Sequence, residues 1–584
     1  MSKLGNMVRD FYKNGYGEKD TSIQVITSED EMLEPVSHED EMRDVTIFTK
    51  IIKFIKVSRD TNELKGVERI LYTYDLRPVE AARRKWDWFN FVYFWMSESF
   101  NIGVWQVAGT AVEAGLSWWE TWISVWLGYS IVAFYLSLQQ RVGSYYHIGF
   151  PVSCRASFGI FGSLWPVLNR TVMACLWYGV EAWRGGQCVQ IMLKAVFGAD
   201  LDTRIKDTMS SPNVSTFTFV AFFIFWIFSL PFIWFPPHQI RHLFTFKAMV
   251  CPIASVLFLI WAIIRSGGIG PVVYQKNYLH GSEHAWVFIK GTLAAMGNLG
   301  TLIVNSPDFS RMAKNRNSAL WSQIFAIPLC FSITSLIGIL VSSASTILYH
   351  KTFWSPLDVL DKFCDTNDKA AKVGAFFISS SFMIGQLGVN ICANSLSAGS
   401  DMTALFPYFI NIRRGGYVCA AIGIAICPWN LMSSSNNFTT YMSSYSVFLS
   451  AIAGTISADY FFARRGYLNI WNLYSYKKGE DYHYNFGINW RAAVSYVCGV
   501  AINFVGFLGS CGVKVPIAAT HVYYLNFIVG YSVSFVVYCV LAIFFPLPGV
   551  PAFEMKSRTW LEQYLDVDDF ELEFLSGKRS AKLE

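Results

Sequence analysis

The sequence predicts an all-α membrane protein with 12 transmembrane helices. Three observations carry that expectation. First, the 584 residues are 53% hydrophobic and 17% aromatic but only 15% charged, against about 25% charged in ordinary soluble proteins. That apolar surplus exceeds what a core can hold and must face lipid. Second, the apolar residues gather into runs of about 20, the helix length that crosses a hydrocarbon layer. Third, the breaks between runs alternate between basic and less basic, as cytoplasmic and external loops do.

In chain order, residues 1–75 form a polar, acidic N-terminal tail without the apolar segment of a cleavable signal. Residues 76–550 hold the membrane domain. Its apolar runs lie at 89–112, 118–139, 162–194, 215–235, 243–266, 286–306, 321–346, 373–398, 415–432, 439–462, 490–511 and 524–545. The third and eighth are long and interrupted by small residues. Residues 551–584 form a polar C-terminal tail. Arg83, Arg84 and Lys85 precede the first run, and Arg141 and Arg155 follow the second. Arg311, Lys314 and Arg316 follow the sixth, Arg413 and Arg414 the eighth, and Arg464, Arg465, Lys477 and Lys478 the tenth. With twelve crossings these all fall on one side, the cytoplasmic one, together with both termini. Arg204, Lys206 and Lys351 are exceptions on the other side.

A carboxylate in mid-span costs about 2.5–3.5 kcal/mol on insertion scales and marks a cavity, a partner or an ion path. Glu98 in the first run and Glu181 in the third are two such acids. Trp177 and Glu181 are four apart, one turn along one helix face. Together they suit a flat heterocycle, the indole stacking and the acid hydrogen-bonding. The blander reading pairs Glu181 with Arg184 as a structural ion pair. Glu98 and Asn101 also share a face. Glu98 is a candidate proton carrier, or a partner of Lys247 in the fifth run, which could equally snorkel.

In the eighth run Asn390 and Asn394 share a face, and amides offer both donors and acceptors. Helix–helix hydrogen bonding is their ordinary use. The sixth run has a Gly/Asn-rich stretch, Ala294 to Gly300, that includes Asn298 and invites an unwound helix. Pro307 should break the chain there, with Asp308 capping the next turn and pairing with Arg311. Most of the twelve cysteines lie in apolar runs and read as small buried hydrophobes. No Cys/His metal spacing, nucleophile–base pair or phosphate loop stands out, and no basic cluster suits nucleic acid. An enzyme is not expected, nor a metal or other cofactor. The scattered intramembrane acids, amides and glycines suit a transporter.

Several segments resemble the fungal uracil, uridine and allantoin permeases of the nucleobase–cation symporter-1 family. Among them are Asp75-Leu-Arg-Pro-Val-Glu80, Ser153-Cys-Arg-Ala-Ser-Phe-Gly-Ile-Phe161, Pro307-Asp-Phe-Ser-Arg311, Trp354-Ser-Pro-Leu-Asp-Val-Leu360, Cys427-Pro-Trp-Asn-Leu431 and Gly487-Ile-Asn-Trp-Arg491. The resemblance runs from about Tyr74 to Phe570. It implies a LeuT-like 5+5 inverted repeat, here about 89–266 and 286–462, followed by two C-terminal helices. It also implies alternating access in the plasma membrane, with substrate held near the midplane. The family's substrate-binding positions fall on Trp177, Glu181, Asn394 and Asn101, with Asn298 and Leu299 in the sixth span. Tyr441 and Met442 fall where a gate is expected.

Three departures stand out. Relatives carry Gln where this chain has Glu181. Leu299 replaces a stacking aromatic. Gly388 and Val389 replace sodium-binding hydroxyl residues. The last departure disfavours sodium and favours protons as the coupling ion, carried by Glu98, Glu181 and Lys247. The expected function is proton-coupled import of uracil or a close relative such as uridine or allantoin. The expected partners are that small molecule and the lipid bilayer, without nucleic acid. One alternative is the same fold carrying thiamine or nicotinamide riboside, which an ionised Glu181 would favour. Another is a nutrient sensor that binds without transport.

Overall fold

The computed structural model describes residues 67–209, 211–235, 237–274, 279–366, 368–550 and 560–562. The helices that build the bundle are α1 (Trp88–Ser99), α2 (Ile102–Glu113), α3 (Trp118–Tyr146), α4 (Leu164–Phe197), α5 (Thr216–Ile233), α6 (Pro237–Arg265) and α7 (Gly281–Val304). They continue as α8 (Ser318–Tyr349), α9 (Lys369–Val389), α10 (Ser397–Leu405), α11 (Ile412–Ala425), α12 (Ser435–Ser457), α13 (Trp490–Ser510) and α14 (Asn526–Phe544). Each of the twelve apolar runs is represented among them. The tail expectations for 1–66, 551–559 and 563–584 lie outside the described residues.

Among the described residues nine helical stretches are long and apolar enough to cross a membrane, against the 12 expected. The difference has local causes. The first run is broken: α1 ends at Phe100, and Asn101 starts α2 by accepting the Gly103 amide on Oδ1 at 2.7 Å. The third run is the 34-residue α4, diluted by buried Arg170, Glu181 and Arg184. The ninth, α11, has only 14 residues.

The sixth run differs from expectation in another way. Its Gly/Asn stretch stays helical through α7. There Gly297 packs against Met442, and Asn298 donates to the Tyr129 hydroxyl at 3.1 Å. The break comes later, at Asn305, where Pro307 sits in the first turn of the short helix Ser306–Ser310. Asp308 does not pair with Arg311 through its carboxylate. Its Oδ1 accepts the Phe150 amide at 2.9 Å, and Arg311 donates to the carbonyl oxygens of Asp308 and Asp75, both at 3.2 Å.

Helix α4 is central, packing on α5, α9, α10 and α11. Its small residues permit this: a Cβ on Gly179 would lie 2.5 Å from the Gly423 carbonyl oxygen of α11. Gly179→Leu should therefore cost about 1–3 kcal/mol through forced separation of the two helices, read as a lower thermal midpoint in detergent. A native-like midpoint would mean that α11 yields freely.

In the eighth run, residues Asn390–Leu396 form a π-helical turn between α9 and α10. Such turns widen the helix and re-aim side chains. At one end of the bundle, residues 560–562 dock on the ends of α3 and the tenth run. Glu562 accepts from Arg141 Nη2 at 2.6 Å, and Trp560 stacks on Phe461.

Candidate functional site

Eight of the residues singled out in the sequence, Val389 among them, meet around one cavity. Glu98 and Asn101 come from the α1–α2 break, Trp177 and Glu181 from α4, Asn298 and Leu299 from α7, and Asn394 from the π-helical turn. Phe331, Val389 and Ala393 add apolar wall. The cavity is about 30 Å³, roughly the share of one water molecule. It is too narrow for a heterocycle.

The broken helix and the π turn explain how these groups converge. At the break Asn101 caps α2 and faces the cavity. Opposite, Asn394 donates to Asn390 Oδ1 at 3.2 Å while the Asn390 amide nitrogen is buried without a partner. The Trp177 indole nitrogen donates to the Tyr445 hydroxyl at 3.3 Å, and that hydroxyl donates to the Gly297 carbonyl oxygen. The indole nitrogen is thus tied to α12 and, through Tyr445, to α7.

Glu181 does both things the sequence allowed. It lines the cavity, and it accepts from Arg184 Nη1 on Oε1 at 2.5 Å. Its other oxygen accepts from the Gln386 amide, oriented so that the Gln386 oxygen takes the Ile102 N–H at 3.1 Å. Arg184 is fully buried. Its Nε donates to Gln106 Oε1 at 2.7 Å, and its guanidinium lies over the rings of Trp177 (5.7 Å) and Phe438 (5.2 Å).

Lys247 and Glu98 are also brought together. The ammonium is 3.8 Å from Glu98 Oε1, and neither atom has a hydrogen-bond partner. The Lys247 stem crosses α9 at Gly388, where a Cβ would lie 3.0 Å from Lys247 Cδ. Tyr441 and Met442 sit behind the cavity wall rather than on it. The Tyr441 ring is 5.8 Å from that of Trp177, and Met442 packs against Gly297. Among the described residues no group of three or more His, Cys, Asp or Glu is placed to hold a metal ion.

The sequence model for permeases of cytosine/purines, uracil, thiamine and allantoin matches residues 78–530. The chain belongs to that family. Its similarity to the uridine permease of Saccharomyces cerevisiae is 47% identity over 548 residues, covering 90% of this chain and 86% of the relative. The uracil permease of the same yeast is 49% identical over 532 residues, covering 89% and 84%. Among solved structures, the fold is similar to that of Mhp1, a nucleobase-cation-symport-1 family transporter, in a closed conformation with bromovinylhydantoin bound. The TM-score is 0.66 at 19% identity, over 84% of this chain and all of that one. The architecture is therefore the all-α, LeuT-like membrane fold of this transporter family, and the chain is a multi-pass permease rather than an enzyme.

Three features of this candidate site escaped sequence reasoning: the Asn101 break, Gln386 and Gln106. Gln386 had a legible signal, because 386, 390 and 394 recur every four residues on one face. Gln106 had none, since its role depends on which helix faces α2. At one mouth of the bundle, outside the long helices, Asp358 also escaped notice. Burial and then the charge of Asp361 push its carboxyl up to about 6, so it is half protonated near that pH.

Proposed function

We propose that this permease imports uracil or a close relative, uridine or allantoin, across the plasma membrane by proton-coupled alternating access. The supporting observation is the joining of two facts. The chain is nearly half identical to uridine and uracil permeases. It also gathers an indole, an amide and a carboxylate around one narrow cavity. In this reading the protein crosses the membrane twelve times, five plus five in inverted repeats and then twice more, with both termini cytoplasmic. Trp177 stacks on the ring, while Asn394 and Glu181 bond its polar edge. The cavity of about 30 Å³ corresponds to a closed step of the cycle, and the ligand is admitted when α4 and the α1–α2 break move apart.

The Arg184 partnership bears on which acid moves the proton. An acid already neutralised by a guanidinium at 2.5 Å gains little from protonation. Among the described residues Glu98 has the ammonium of Lys247 at 3.8 Å as its ion-pair partner, and its Oε1 has no hydrogen-bond partner. Glu98 is therefore the proton carrier in this reading, with Glu181 kept for the ligand. Lys247 is the resident cation beside Gly388, where relatives of the sodium-coupled kind would need an empty cation site. The same neutralisation of Glu181 removes the attraction that a cationic ligand such as thiamine would need.

The test is uptake of labelled uracil, uridine, allantoin and thiamine in yeast lacking its own permeases, from acid to neutral external pH. One of the first three should accumulate, faster at acid pH, and replacing sodium by choline should change nothing. Uptake driven by sodium and indifferent to pH would overturn the coupling; thiamine as the sole substrate would overturn the ligand class.

A further inference from the structure

A second cavity, of about 220 Å³, opens between the loops that follow α4, α8 and α11. It is large enough for a single flat heterocycle, whereas the inner cavity is not. Its lining is unlike a solvent channel. Trp183, Trp354 and Trp429 present indoles, and Gln106, Gln187 and Asn213 present amides. Among the described residues no lysine or arginine lines it, and Asp358 is the one acid that does. Indole faces bind flat rings, and amides match the alternating N–H and C=O edge of an imide or ureide. One of these amides is visibly unfinished: Gln187 Oε1 is buried and has no hydrogen-bond partner. A buried acceptor in that condition is stabilised by an N–H donor arriving from a ligand.

The two cavities share a partition. Ser355 and Gln106 line the outer one, joined by Gln106 Nε2 donating to Ser355 Oγ at 3.1 Å. Gln106 Oε1 accepts from Arg184 Nε at 2.7 Å, and Arg184 Nη1 donates to Glu181 on the inner wall at 2.5 Å. The remaining nitrogen, Nη2, is buried without a partner. Phe438 lies under the guanidinium and stacks on Trp354 at 5.6 Å. A ligand passing from one cavity to the other must displace Arg184, whose free N–H can meet a ligand carbonyl on the way.

We propose that the outer cavity is a second binding site for the transported uncharged heterocycle, occupied before the ligand passes Arg184, with Gln187 accepting a ring N–H. The proposal rests on the functional reading above. It makes Gln187 and the three indoles a first selectivity step, ahead of Trp177 and Asn394.

The test is equilibrium binding to the purified full chain in nanodiscs, with labelled uracil, uridine and allantoin as parallel probes. At saturation the native protein should bind more than one molecule of the favoured probe, in a tight and a weak phase. Gln187→Met keeps the side-chain volume and removes the acceptor. It should weaken the weak phase about tenfold, the loss of roughly one hydrogen bond, and leave the tight phase. Trp177→Ala should move the tight phase and spare the weak one, with thermal midpoints checking that both variants fold. One molecule per native chain, or weak phases alike in the native protein and Gln187→Met, overturns the outer site alone. If none of the three probes binds the native chain, the functional reading fails and the outer site with it.

Discussion

Asp401→Ala is expected to destabilise the protein by about 3–5 kcal/mol, the usual cost of stranding one member of a buried ion pair. Asp401, on α10, accepts from Arg170 Nη1 of α4 at 2.5 Å, and both side chains are essentially inaccessible to solvent. Arg170 Nη2 also donates to the Asn305 amide oxygen at 2.6 Å, just where α7 ends. The pair therefore fastens α10 to α4 and to the end of α7, and the latter two bring residues to the cavity. Removing the carboxylate leaves a guanidinium with one acceptor in an apolar interior. The thermal midpoint in detergent, followed by tryptophan fluorescence, should fall sharply. The double variant Arg170→Met, Asp401→Leu should recover much of the loss, because an apolar pair needs no compensation. If Asp401→Ala melts with the native protein, the pair contributes nothing and the fastening is elsewhere.

Trp177→Ala should raise the KM for uptake about 5- to 150-fold, the range for removing one stacking platform worth roughly 1–3 kcal/mol. The indole is held by Tyr445 behind it and lies within 5.7 Å of the Arg184 guanidinium, so it is fixed before any ligand arrives. Trp177→Phe separates stacking from positioning. It keeps a ring and loses the bond to Tyr445, and its KM should shift far less. Because truncating a buried Trp also opens a void, the melting midpoint of each variant has to be read beside its KM. A folded Trp177→Ala protein with native KM would remove the indole from the ligand site.

Much of the scaffold was legible because apolar runs report spans directly. Each predicted run is occupied by helix, the first split in two and the eighth continued by the π turn and α10, with ends that differ from the predicted ones by up to seven residues. Helix breaks were less legible. Ser97-Glu-Ser-Phe-Asn-Ile102 carries no proline or glycine, and the break exists because Asn101 caps α2 and the freed backbone meets Gln386. The Gly/Asn stretch of α7 has the opposite history: Gly297 serves close packing against Met442 and Gly300 against Tyr445 and Ser446, and the helix continues. The site itself was legible where one helix face held it, as with Trp177 and Glu181. It was hidden where helices had to meet, as with Gln106 and Gln386. Periodicity states which residues share a face but not which faces touch.

The central claim is that a flat, uncharged heterocycle sits between Trp177, Glu181 and Asn394. A cryo-EM map of the full chain with its best-transported ligand tests it directly. The expected result is planar density parallel to the Trp177 indole, with polar edges within hydrogen-bond distance of Asn394 and Glu181. Density confined to another part of the bundle, with the cavity around Trp177 still closed at saturating ligand, would contradict it.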